Sequence, residues 1–188
     1  MGKRWGSLPS VSFDVKKRRA GFTLIELLIV MAIIAILASV VFVALDPLKR
    51  FQDARDSSRW SDVTAVLSAI KIDQVDNGGS YLSTISSMTA GNVYMIVNGA
   101  SMVAGCDDNN ASCDTNVTGD TDCVNLSGMI TEGYLGSIPI SPTGAVTWDD
   151  GDTAGEEGTG YTLERETTGI LHVRACESEN STEISISR

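Results

Sequence analysis

The residues of this chain that can do chemistry are four cysteines, two acidic loops, one histidine and a lone acid beside an apolar run. Cys106, Cys113, Cys123 and Cys176 all lie beyond that run, and an even number there fits two disulfides in an oxidising compartment, with three pairings open. The favoured pairing joins Cys106 to Cys113, closing a short Asp/Asn-rich loop, and Cys123 to Cys176, tying the middle of the chain to its last strand. A zinc site is the rival reading. It lacks a close CxxC pair and has only His172 as an imidazole ligand.

Asp149, Asp150 and Asp152, with Glu156 and Glu157 after them, offer oxygen ligands at spacings calcium can use, although not at EF-hand spacing. A solvent-facing acidic loop is the plainer reading. The second acidic loop, Asp107-Asp108-Asn109-Asn110, already has a structural purpose in its cysteines. His172 alternates with Leu171 and Val173, which places it on a sheet surface, and no ordered catalytic constellation accompanies it. The chain therefore reads as a non-enzyme. Trp60 and Trp148 read as packing residues, and the N-x-Ser/Thr pattern at Asn110, Asn116, Asn125 and Asn180 says little in so Ser/Thr-rich a chain.

The lone acid is Glu26. From residue 27 to residue 45 no charged side chain occurs and Ser39 is the polar exception. At 1.5 Å per residue that run covers about 28 Å, close to the roughly 30 Å of bilayer hydrocarbon. A charge at a bilayer centre costs about 2.5 kcal/mol or more, and less near an interface, so an acid at this border is rarely kept without a use.

The elements that position these residues follow from periodicity and breakers. Residues 1–15 are polar and turn-rich and read as a disordered leader. A helix is expected over residues 23–76, with a bend or an opened turn at Pro47 and any unwound segment around residues 43–48. Beyond Pro47 two stripes appear, Leu48, Phe51, Ala54 and Ser58, then Val63, Val66, Leu67 and Ile70. Asn77, Gly78 and Gly79 end the helix. Short strands are expected at residues 93–97, 146–148, 161–164 and 170–175, the last two forming a hairpin, while residues 124–132 are a short helix or a loop. Residues 105–122 and 149–160 are surface loops. A long helix leaning on a small antiparallel sheet is the simplest layered solution, an α+β fold. The expected organisation is a leader at 1–21, a membrane half-helix at 22–46, an amphipathic half at 47–79 and a head at 80–188.

Charge agrees with that division. Six of the 14 basic side chains and one of the 24 acids precede Phe22, leaving eight against 23 beyond it. Lys16, Lys17, Arg18 and Arg19 hold their end in the cytoplasm and the acidic remainder crosses. An acidic domain without a basic patch is a poor nucleic-acid binder, so none is expected as a partner.

The junction Lys17-Arg18-Arg19-Ala20-Gly21-Phe22-Thr23-Leu24-Ile25-Glu26 keeps the apolar run after the small residue, where an ordinary secretory signal would place it before. It resembles the prepilin signature of type IV pilins and type II secretion pseudopilins: basic leader, Gly, aromatic first mature residue, and Glu at the fifth. The resemblance is tight over residues 18–46, loose through the amphipathic helix and only architectural beyond. It implies a pilin fold, cleavage by a prepilin peptidase between Gly21 and Phe22, methylation of the Phe22 amine, and recognition of Glu26 during assembly by an ATPase and platform protein. The chain itself would be a structural subunit of a filament of identical or related copies, anchored first in the inner membrane and then extracellular or periplasmic, with no cofactor required. In such a fibre the Phe22 ammonium and Glu26 carboxylate of neighbouring copies would offset each other's desolvation. Many family members carry a Pro near the twentieth mature residue; here the first one, Pro47, lies further on. Several pseudopilins bind calcium near their C-terminal strands, and the loop at Asp149, Asp150 and Asp152 is similar in position. The alternatives are a type II secretion pseudopilin and a monomeric membrane-anchored binding module.

Overall fold

The computed structural model describes Gly2 and residues 21–97, 112–113, 117–118, 123–148 and 158–188. The chain divides into two units, Met1–Leu45 and Asp46–Arg188.

Helix α1, Leu24–Leu45, is the regular structure among the described residues of the first unit. Its sequence is apolar on every side, so no face is distinguished, and none of its residues is buried. It is long and apolar enough to cross a membrane. The helical run opens at one residue: Asp46 has φ 36° and ψ 70°, a left-handed backbone that non-glycine residues seldom adopt. Pro47 then opens α2, Pro47–Asp76, at a first-turn position where the missing N–H would have no helical partner anyway. The interruption is thus shorter than the expected segment 43–48.

The second unit is built on α2. Val63, Val66, Leu67 and Ile70 recur at three and four and are fully buried or nearly so. The earlier stripe behaves differently: Leu48 and Phe51 are each 65% exposed, and the buried side chains of that half are Asp56 and Arg59. Those first turns meet a polar loop instead of the sheet. The helix ends in a Schellman motif, with Gly79 N–H donating to Gln74 O at 2.7 Å and Gly78 N–H to Val75 O at 3.3 Å; Gly78 takes the required positive φ of 64°.

Among the described residues five strands follow, in the sheet order β2-β1-β3-β4-β5. They are β1 (Val93–Val97), β2 (Cys123–Asn125), β3 (Gly158–Arg165), β4 (Leu171–Ala175) and β5 (Ser185–Ser187), with short helices α3 (Ser83–Ser86) and α4 (Ser127–Thr131) between. The β1–β2 pair is parallel and the others are antiparallel. Tyr161, Leu163, Leu171 and Val173 alternate toward α2, which lies over β4 and β5, and join its apolar face in the main core. The opposite face is also covered: Met95, Val97, Cys113, Cys123, Trp148 and Cys176 form a second cluster.

This is the α+β arrangement the resemblance implied, a long N-terminal helical region with a small, mostly antiparallel sheet packed on α2. The strand expected at residues 146–148 is absent. Trp148 is buried beneath the sheet, its indole N–H donating to Glu177 Oε2 at 3.1 Å, so its apolar character reflects packing and not pairing. Trp60, expected to pack, is 41% exposed on α2. The segment 124–132 resolves into both a strand and a helix.

Candidate functional site

The start of α1 is set by two side chains. The Glu26 backbone N–H donates to Thr23 Oγ1 at 3.3 Å, while the Thr23 backbone N–H and hydroxyl donate to Glu26 Oε2 at 2.7 and 2.8 Å. This is a reciprocal capping box. It satisfies donors that a helix N-terminus otherwise leaves open, and puts an anion at the positive end of the helix dipole. Gly21, Phe22 and Thr23 therefore lie ahead of the helix in non-helical backbone, with Phe22 83% exposed. The expected scissile bond, Gly21 to Phe22, sits in chain that a protease can take up without unwinding a helix.

Residues 16–42 match the model of the prokaryotic N-terminal methylation motif. A prepilin-type methylation motif is therefore present, and it covers both Gly21 and Glu26. Searches with the chain match no curated protein and no solved structure.

The cysteines correct the expected pairing. Cys113 is bonded to Cys176, 63 residues away, and not to Cys106. Cys123 is disulfide-bonded too, so the expected bond from Cys123 to Cys176 is also replaced. Cys176 N–H donates to Gly160 O at 2.8 Å at the end of the β3–β4 ladder, facing the cluster that holds Cys113. Sequence spacing carried no trace of this, since proximity along the chain favoured the short loop. Cys106 lies outside the described residues, as do Asp149, Asp150 and Asp152. Among the described residues no group of three or more His, Cys, Asp and Glu is placed to hold a metal.

Directly after Cys176, residues 177–181 clasp α2 through a buried charge cluster that the sequence reading missed. Asp56, 4% exposed, accepts the backbone N–H groups of Glu179, Asn180 and Ser181 at 3.1, 2.8 and 3.1 Å. Arg59, fully buried, spreads its five donors over the surroundings. Its Nη1 reaches Asp56 Oδ1 and Glu179 Oε1, both at 2.9 Å, Nε reaches Ser141 Oγ at 3.0 Å, and Nη2 reaches Pro142 O at 3.0 Å. Arg55 pairs with Glu179 through Nε at 2.6 Å and also through Nη2. Glu177 is 3.6 Å from Arg59 Nη2 and accepts from Ala145 N–H, Val146 N–H and Trp148. Gly144 leaves room for it all, since a Cβ there would stand 2.9 Å from Arg59 Nη2. A signal for the cluster did exist: Asp56, Arg59 and Asp73 fall in register with Val63, Val66 and Ile70, so charges were spaced onto the buried stripe.

Electrostatics follow from these contacts. Burial alone would raise the Asp56 carboxyl, but the N–H donors of Asn180, Glu179 and Ser181, with Arg59, outweigh it and hold it below the usual carboxylate range. Arg55, then Arg59, hold Glu179 low as well. Tyr161 donates to Asp62 Oδ2 at 2.6 Å, and burial followed by that bond pushes its phenol well above the ordinary range. His172 is half-buried at the sheet surface as expected, its Nε2 2.6 Å from Glu166 Oε1.

Proposed function

We propose that this chain is a structural filament subunit of the type IV pilus class, cleaved after Gly21, methylated at Phe22 and assembled through Glu26. The observation that carries the reading is the pairing of a methylation motif with α1, 22 residues long and apolar on all sides, with no residue buried within the chain. Such a helix needs a continuous apolar environment, first a bilayer and then the matching helices of other copies. The acidic remainder of the chain stays outside the membrane. On this reading a prepilin peptidase, an assembly ATPase and its platform protein are the partners, and no catalysis is assigned to the chain.

Glu26 fits the reading chemically. Both capping bonds use Oε2, so Oε1 is the oxygen that meets the Phe22 ammonium of a neighbouring copy. Mass spectrometry of the mature protein tests the processing step: loss of 21 residues plus one added methyl group supports it. An intact leader on surface-exposed protein overturns it.

A further inference from the structure

The first two turns of α2 present an amphipathic surface. Leu48 and Phe51, three residues apart on one side of the helix, are each 65% exposed. Lys49 and Arg50 are exposed as well and fall to either side of that apolar face, while Asp53 falls opposite it. Residues 177–181, the segment that packs here, bring only polar side chains: Asn180 Nδ2 donates to Lys49 O at 3.3 Å and to Asp53 Oδ1 at 2.9 Å. Leu48 and Phe51 are thus left to something outside the head.

The length of the connection limits how far this surface can stand from a membrane that α1 spans. Because α2 is helical from Pro47 on, Phe51 Cα lies no more than about 13 Å from Leu45 Cα, whatever angle the backbone takes at Asp46. The headgroup layer is itself roughly 5–8 Å deep beyond the hydrocarbon. An uncovered Leu and Phe are therefore delivered to the depth where apolar side chains still reach acyl carbon. Charge suits the same place. Eight basic residues follow Phe22, and Lys49 and Arg50 are the only two of them adjacent in sequence. Arg55, Arg59 and Arg174 are held in ion pairs within the head. A cation to either side of an apolar face, its stem along the helix and its head at phosphate level, is the arrangement of a helix lying in a bilayer surface. A second copy would bring mostly acids to this spot, and a bilayer brings phosphate without waiting for assembly.

We propose that the start of α2 is a lipid-docking surface, with Leu48 and Phe51 inserted into the headgroup layer and Lys49 on a lipid phosphate, which holds the base of the head against the bilayer before assembly. The inference rests on the reading of α1 as a membrane span and adds a second membrane contact to it. Drawing a subunit out of the bilayer then means breaking this contact as well as removing α1.

The test uses the full chain, without assembly proteins, in phosphatidylcholine vesicles containing phosphatidylglycerol, at enough lipid that copies seldom meet. The photo-crosslinker p-benzoylphenylalanine replaces Val40, Phe51 or Asp53 in turn, and adducts are identified by mass. Phospholipid adducts should form at positions 40 and 51 and be scarce at 53. Lys49→Gln should lower the adducts at 51, relative to those at 40, by up to about fivefold, the worth of one cation near an anionic surface. Lipid adducts at 40 but not at 51, equal yields at 51 and 53, or a Lys49→Gln variant that matches wild type overturn the docking alone. Adducts from 51 to a second copy or to residues 177–181 in place of lipid do the same. Absence of lipid adducts at 40 overturns the membrane reading of α1 and the docking with it.

Discussion

Asp56 and Arg59 stand one helical turn apart on the buried side of α2, 2.9 Å between Oδ1 and Nη1, and between them they collect residues 177–181. The guanidinium faces three carboxylates, those of Asp56, Glu177 and Glu179. Replacing it with an apolar side chain of similar length removes the cation all three share, leaving Asp56 and Glu177 to neutral N–H donors and Glu179 to Arg55. Arg59→Met should lower the stability of the Asp46–Arg188 unit by about 3–5 kcal/mol, the usual cost of breaking a buried pair from one side. Urea unfolding of wild type and variant checks the size. A loss under about 1 kcal/mol would mean that water already reaches this cluster.

The same cluster sets a response to acid. Asp56 and Glu179 are both held below the usual range, Asp56 against the pull of burial and Glu179 chiefly by Arg55. For a lowered carboxyl the stabilisation is present above its unfolded value, near 4, and is lost as pH falls through the folded one. The clasp should therefore hold at neutral pH and let go below about pH 4. Trp148, bonded to Glu177, supplies the fluorescence signal for that transition.

Non-reducing peptide mapping should recover one peptide pair linking Cys113 to Cys176. The bond closes a loop of 63 residues, for which restriction of the unfolded chain predicts a loss of about 4 kcal/mol in Cys176→Ser, the upper part of the usual range for a disulfide. Residues 177–181 leave directly from this anchor, so amide protection at Asn180 and Ser181 should fall first. A recovered Cys106 to Cys113 link would contradict the pairing.

At Glu26 two roles coincide, capping the helix and carrying charge, and substitutions separate them. Glu26→Gln keeps an oxygen that accepts the Thr23 N–H but removes the charge. If the charge meets Phe22 of a neighbour, Gln should abolish fibres about as fully as Ala, because either leaves an unpaired ammonium at a cost of several kcal/mol. Glu26→Asp should assemble poorly. Sheared-fibre yield, with membrane-fraction blots to show normal insertion, provides the measurement. Full fibre yield from the Gln variant would make Glu26 a helix cap and nothing more.

Periodicity and breakers made much of the fold legible beforehand. The apolar run of α1, the stripe Val63, Val66, Leu67 and Ile70, the stop at Gly78, and strands β1, β3 and β4 each rest on a local pattern of several residues. Strands β2 and β5 are three residues long, too short for alternation to show, and β2 owes its existence to lying beside β1. At the N-terminal segment the resemblance singled out Gly21 and Glu26, and both fall inside the matched motif. The disulfide partner of Cys113 and the bonds of Asp56 depend on which distant segments the sheet brings together, and no local pattern encodes that. Trp60 misled because a large apolar side chain says only that burial would be favourable, not that anything in the same chain covers it.

The order β2-β1-β3 has a consequence for how the chain comes off the ribosome. Strand β1, Val93–Val97, carries five β-forming apolar or aromatic residues and no charge, yet both of its neighbours are encoded later. Met95 must wait for Cys123 on one side and for Thr162 on the other. The hairpin of β3 and β4 is local and forms quickly once made, but it is synthesised near the end. Until β2 emerges β1 has two bare edges, and until β3 emerges it keeps one, each able to pair with a strand from another chain. The interval in which β1 waits with an open edge therefore runs from the synthesis of Val97 to that of Arg165, and slowing translation there should raise misassembly more than slowing it in α2.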